Sequence, residues 1–137
     1  MTHGAGCLCG AVRLSIDADP LLARTCWCRL CQYLAAGSAT VNLVFPAAAV
    51  GVEGEVRWYE SVADSGNAMA RGFCPTCGTP VFSKSMARPD FVIVRAGALD
   101  DPNLLGPQVT IWTGAAPEWA CFDPELPQFE AQPPPIG

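Results

Sequence analysis

Seven of the chain's eight cysteines fall in three tight clusters: Cys7-Leu8-Cys9, Cys26-Trp27-Cys28-Arg29-Leu30-Cys31 and Cys74-Pro75-Thr76-Cys77. Any fold this chain adopts must bring those sulfurs to metals or to one another. A structural zinc site takes four ligands, whereas a reactive one keeps three protein ligands and an open position. Two pairs and a triple therefore divide into one closed site and one open one, with Cys121 left over.

The N-terminal run Met1-Thr2-His3-Gly4-Ala5-Gly6 has neither the basic nor the apolar region of a secretory leader. The longest apolar stretch, residues 39–52, is broken by Asn42 and Pro46 and is too short to span a bilayer. The expected location is the cytoplasm, where clustered cysteines serve metals rather than disulfides. An even count of eight also fits a disulfide-rich secreted domain. However, gaps of one or two residues suit a shared metal better than adjacent disulfides. A formal net charge of −5 argues against unspecific binding to nucleic acid or to an anionic membrane.

The patterning predicts a mostly β chain. Val12, Leu14 and Ile16 alternate with Arg13 and Ser15, as in a half-buried strand. Residues 40–45, 55–60, 81–83, 91–96 and 109–113 are further short strands bounded by Gly, Pro and Asp. One short helix is expected over 29–36, ended by Gly37. From Pro117 the chain reads as an irregular wrap. A single zinc-binding domain is expected over 1–131, followed by a loose Pro-rich tail at 132–137.

Cys74-Pro75-Thr76-Cys77-Gly78 is a zinc knuckle, in which both sulfurs aim at one point. Gly78 follows the second cysteine where positive φ is often needed, and Gly10 follows Cys9 in the same relation. Cys7, Cys9, Cys74 and Cys77 are therefore expected to share a tetrahedral zinc that staples the start of the chain to its middle. The competing reading makes Cys7 and Cys9 merely small buried residues. Cys26, Cys28 and Cys31 have no cysteine pair left to complete them. A second zinc there would leave a position for water or a substrate thiol, which would lose its proton near neutral pH. Arg29, inside this cluster, is placed to offset its negative charge. Cys121 could close the site, but in Trp119-Ala120-Cys121-Phe122 it reads as a small buried residue. His3 is a weaker fourth ligand and reads as surface.

These clusters and their flanks resemble the glutathione-dependent formaldehyde-activating enzyme family, which includes centromere protein V-like members. The resemblance runs through Gly6-Cys7-Leu8-Cys9-Gly10-Ala11-Val12-Arg13, the cysteine triple and Arg71-Gly72-Phe73-Cys74-Pro75-Thr76-Cys77-Gly78-Thr79-Pro80-Val81. It continues through Ala96-Gly97-Ala98-Leu99-Asp100-Asp101-Pro102 and Pro117-Glu118-Trp119 to Leu126-Pro127-Gln128-Phe129. It implies an Mss4-like fold of short antiparallel sheets, a structural zinc on Cys7, Cys9, Cys74 and Cys77, and a catalytic zinc on Cys26, Cys28 and Cys31. Many relatives carry histidine where this chain has Trp27 and Thr110, so substrate preference and proton transfer are open.

The implied reaction is a carbon–sulfur lyase type, joining glutathione and formaldehyde as S-(hydroxymethyl)glutathione. Other small thiols or aldehydes fit the same chemistry. Arg29, Arg71, Lys84 and Arg95 are the candidates for holding glutathione's carboxylates, with Arg29 and Arg71 preferred. Competing classes are a zinc-stapled binding module or thiol carrier without catalysis, and a thiol switch built on Cys26, Cys28 and Cys31. Trp58, Trp112 and Trp119 read as packing residues, and Trp27 as either pocket wall or core.

Overall fold

The computed structural model describes residues 2–135. Ten short strands form two sheets. In the small sheet, β1 (His3–Gly6) and β5 (Val50–Glu53) flank β2 (Arg13–Ile16), all antiparallel. The large sheet uses β3 (Leu22–Cys26), β4 (Thr40–Pro46), β6 (Arg57–Val62), β7 (Ala68–Phe73), β8 (Pro80–Ser85), β9 (Phe91–Arg95) and β10 (Thr110–Ile111). Its order is β10-β3-β4-β9-β8-β7-β6, antiparallel except where β10 runs parallel to β3. The one α-helix, α1 (Arg29–Leu34), follows β3 directly.

The mostly β character and single short helix agree with the sequence pattern. Strands were expected at six of the ten places; β1, β3, β5 and β7 were not anticipated. Two of these, β3 and β7, mix small, charged and apolar residues without clean alternation. Their pairing is set by neighbouring strands, not by their own periodicity. The expected strand over 109–113 shrinks to two residues, because Trp112 takes a left-handed conformation (φ 59°) and turns the chain.

Flanked by β3 and β9 inside the large sheet, β4 is buried almost throughout. Leu43, Phe45, Phe82, Val92 and Val94 face the small sheet and pack with Val12, Leu14 and Ile16 into the main core. The alternate residues of the same strands face the other way and form the floor of a cavity. Beyond Pro117 the described residues form no further strands, in line with the expected irregular wrap; isolated bridges tie Thr110 to Gln128 and Ala5 to Leu99. Residues 132–135 of the Pro-rich tail lie against the cavity, and Trp112 Nε1 donates to Gln132 Oε1 at 3.0 Å. Residues 136 and 137 of that tail lie outside the described residues.

Candidate functional site

The knuckle forms as its sequence demands. Gly10 and Gly78 both take positive φ, 84° and 76°. Each follows a cysteine at a turn that a residue with a Cβ would strain. Main-chain N–H groups point at the sulfurs: Val12 donates to Cys7 Sγ at 3.2 Å, and Thr76 to Cys74 Sγ at 3.3 Å. The Thr79 hydroxyl holds the Cys77 thiol down to about 5. The sulfurs of Cys7, Cys9, Cys74 and Cys77 lie within 4.8 Å of one another, with Cys7–Cys9 and Cys9–Cys74 both at 3.7 Å. A tetrahedron with Zn–S bonds of about 2.3 Å has edges of about 3.8 Å. The donor set and its spacing thus fit a four-thiolate zinc site.

The triple is built at a strand–helix junction. Cys26 ends β3, and Cys28 is the N-cap of α1, its Sγ accepting the Cys31 N–H at 3.3 Å. Cys31 lies one turn into the helix. All three side chains are buried and their sulfurs lie within 4.8 Å of one another. Among the described residues no fourth His, Cys, Asp or Glu joins them. The Cys26 and Cys28 thiols pull the Cys31 thiol down, with help from the Thr40 hydroxyl and the Arg95 charge. Those same contacts, with burial, push Cys26 upward. Three thiol groups gathered so closely suit a shared cation.

Thr40 belongs to a buried polar chain. Arg95 Nη1 donates to Asn42 Oδ1, and Asn42 Nδ2 donates to Thr40 Oγ1 at 3.0 Å. The Thr40 oxygen accepts from Asn42, and the same hydroxyl helps to hold the Cys31 thiol down.

The cluster opens on a cavity of about 290 Å³ over the outer face of the large sheet. Arg24, Arg71, Arg88 and Arg95 line it, against a single acidic residue, Asp64. Half of the chain's eight Lys and Arg are thus gathered in one cavity of a protein whose net charge is −5. Burial pushes down the pKa of both Arg24 and Arg95. Val44, Phe91 and Ile93 supply apolar wall, while Trp112 and residues 132–135 form another side.

The sequence model of the family described as glutathione-dependent formaldehyde-activating enzyme matches residues 2–115. The chain belongs to that family. A crystal structure of a Rhodobacter sphaeroides protein is similar in fold: TM-score 0.59, 22% identity, covering 75% of this chain and 94% of that one. Comparison with curated proteins gave no match.

For this glutathione-dependent formaldehyde-activating family member, the structure brings together both cysteine groups expected from the sequence. It separates the four basic candidates. Arg71 and Arg95 line the cavity, while Lys84 lies over the Trp58 ring on the other face. Arg29 is exposed, donating to Gln32 Oε1 and stacking on Tyr33. Cys121, expected to be buried, is exposed. Its aromatic neighbours Trp119 and Phe122 both pack edge-on against Trp27, which takes the interior place and leaves the sulfur outside. Trp119 itself remains 66% exposed, so it packs with only one edge. His3, expected at the surface, has a side chain only 12% exposed and pairs with Asp19 at 2.9 Å. Neither Cys121 nor His3 joins a metal cluster.

Trp112, read as packing, does touch the triple, but it also lines the cavity. Arg24, Thr40 and Asn42 were missed. Their signal was available: Arg24 lies two residues before Cys26, hence on the same strand face, and Asn42 interrupts an apolar run.

Among the described residues no helix is long and apolar enough to cross a membrane.

Proposed function

We propose that this protein joins a small anionic thiol of the glutathione type to formaldehyde or a related small aldehyde. The reaction class is that of a carbon–sulfur lyase. The observation carrying this reading is the convergence of three buried sulfurs, Cys26, Cys28 and Cys31, on the wall of a cationic cavity. Family membership supports this reaction and these two substrate classes.

Cys26, Cys28 and Cys31 would hold a second zinc, with the first on Cys7, Cys9, Cys74 and Cys77. At the three-cysteine cluster, zinc would supply a positive centre that keeps a guest thiol deprotonated near neutral pH. The guest sulfur, as thiolate, adds to the carbonyl carbon; a carbon–sulfur bond forms, the C=O pair moves to oxygen, and the oxygen takes a proton. Thr40, fixed by Asn42, favours the charged Cys31 sulfur and would temper the negative charge that otherwise repels a second thiolate. Of the two arginines preferred from sequence, Arg71 faces the cavity and draws the substrate's carboxylates inward. Arg29, outside the cavity wall, contributes only at longer range. Reduced thiols throughout suit the reducing cytoplasm expected from the sequence.

The reading is tested by metal counting and by replacing zinc with Co²⁺. Glutathione should change the Co²⁺ spectrum of wild type and leave that of Cys31→Ser unaltered. Isotopically labelled formaldehyde should exchange with the hydroxymethyl adduct faster with protein present. A spectrum indifferent to every small thiol would reduce the protein to a zinc-stapled binding module.

A further inference from the structure

Register places two cations and a hydroxyl side by side. Arg71 on β7 pairs with Ser83 on β8, and Ser83 pairs with Ile93 on β9, so these three side chains share one face of the sheet. Arg95, two residues beyond Ile93, shares it too. Ser85 lies two residues beyond Ser83, opposite Met69. All of them line the cavity.

These groups are poorly satisfied within the protein. Ser83 Oγ, Ser85 Oγ and Arg95 Nε are buried without a hydrogen-bond partner among the described residues. Ser83 is 1% exposed. Buried polar atoms left without a partner are costly, and native folds rarely hold several together. Arg71 donates to Ser61 Oγ and Arg95 to Asn42 Oδ1. Neither forms an ion pair among the described residues. The two guanidinium groups therefore face each other's field, and the Arg71 charge acts against that of Arg95. An anion with several acceptor atoms would relieve both the repulsion and the orphan donors.

We propose that Arg71, Ser83, Ser85 and Arg95 form a subsite for a carboxylate of the thiol substrate. It reads a part of the substrate remote from the reacting sulfur. The inference rests on the thiol reaction above only for the identity of the guest. It adds Arg95 as a second cation on the carboxylate, and it assigns selection to two serines that sequence alone did not mark. Simple alkyl thiols should be poor substrates even where the metal accepts their sulfur.

The test uses the zinc-loaded full chain and S-methylglutathione, whose sulfur cannot become a thiolate. Calorimetry should show binding, weakened about tenfold by Ser83→Ala, the loss expected for one hydrogen bond to a charged group. Glutathione diethyl ester, with both carboxylates masked, should bind weakly to wild type and be indifferent to Ser83→Ala. Because Ser83→Ala removes an orphan hydroxyl, its thermal midpoint should equal or exceed that of wild type, which separates the effect from misfolding. In turnover, KM for glutathione should rise with kcat nearly kept. Equal binding of S-methylglutathione by wild type, Ser83→Ala and Arg71→Gln overturns the subsite, as does tight binding of the diester. If glutathione and formaldehyde fail to react while S-methylglutathione binding still depends on Ser83, the reaction reading falls and the subsite stands.

Discussion

Arg95 donates through Nη1 to Oδ1 of Asn42, a residue on the adjacent strand. That contact turns the Asn42 amide so that its N–H points to Thr40. The line from a buried cation to a sulfur cluster is thus assembled from three strand positions that share one face of the sheet.

Thr40→Val should remove the donor to Cys31 while preserving shape. The freed sulfur would donate more strongly to a bound metal, so the sulfur-to-Co²⁺ charge-transfer band should move to lower energy. Thr40→Ser, which keeps the hydroxyl, should restore it. An unchanged band in Thr40→Val would show that the hydroxyl does not reach the sulfur.

The two metal groups should fail differently. Cys74 is fully buried within the main core, and its knuckle meets the first turn of the chain. Structural zinc sites carry roughly 10 kcal/mol or more of folding free energy. Cys74→Ser should therefore lose cooperative unfolding in circular dichroism. Cys28→Ser should lose one zinc by elemental analysis yet keep the sheet spectrum.

Cys121→Ala should retain as much zinc as wild type. With the sulfur exposed, its stability should stay within about 0.5 kcal/mol of wild type. Loss of one zinc in this variant would mean that Cys121 reaches the triple in solution.

Arg13 makes two hydrogen bonds to Asp100, at 3.0 and 2.6 Å, joining the small sheet to the turn after β9. The Arg13 contact holds the Asp100 carboxyl below its ordinary value. A group depressed on folding favours the folded state where it is ionised. That contribution is full above the ordinary value of 3.8 and is lost as pH falls through the lower folded value. Both side chains are about half exposed, so the effect is small and screened by salt. Urea midpoints of wild type and Asp100→Asn should differ slightly at neutral pH and converge in acid. A difference that grew in acid would contradict the pairing.

Ending the chain after Ala131 should spare both metal sites and raise KM for the thiol severalfold. It would remove the Trp112–Gln132 hydrogen bond and the wall made by residues 132–135. A truncated protein with unchanged KM would restore the tail to the loose segment its composition suggested.

Both sulfur groups were legible because metal ligands announce themselves by residue type and short spacing. The left-handed glycines after Cys9 and Cys77 were legible for the same local reason. β4 and β9 were legible from apolar runs, whereas β3 and β7 were not, because each carries an arginine toward the cavity where alternation would demand an apolar residue. Arg71 could be suspected only as one of eight basic residues, and Arg29, inside the cysteine motif, looked better placed than it is. Cys121 was misjudged because its aromatic neighbours suggest burial, yet they only pack edge-on against Trp27, and Trp27 takes the interior place.

The sequence by itself determined the two sulfur groups, their four-and-three division and the family, since these rest on covalent neighbours and short loops. Only the tertiary structure decided which charges meet the sulfurs. Arg24, Asn42 and Arg95 are far apart in the chain and become neighbours through strand register, and Arg71 joins them across β8. Strand pairing over such separations is set by the packing of the whole sheet, so the cationic cavity and its stranded hydroxyls exist only once the fold is complete.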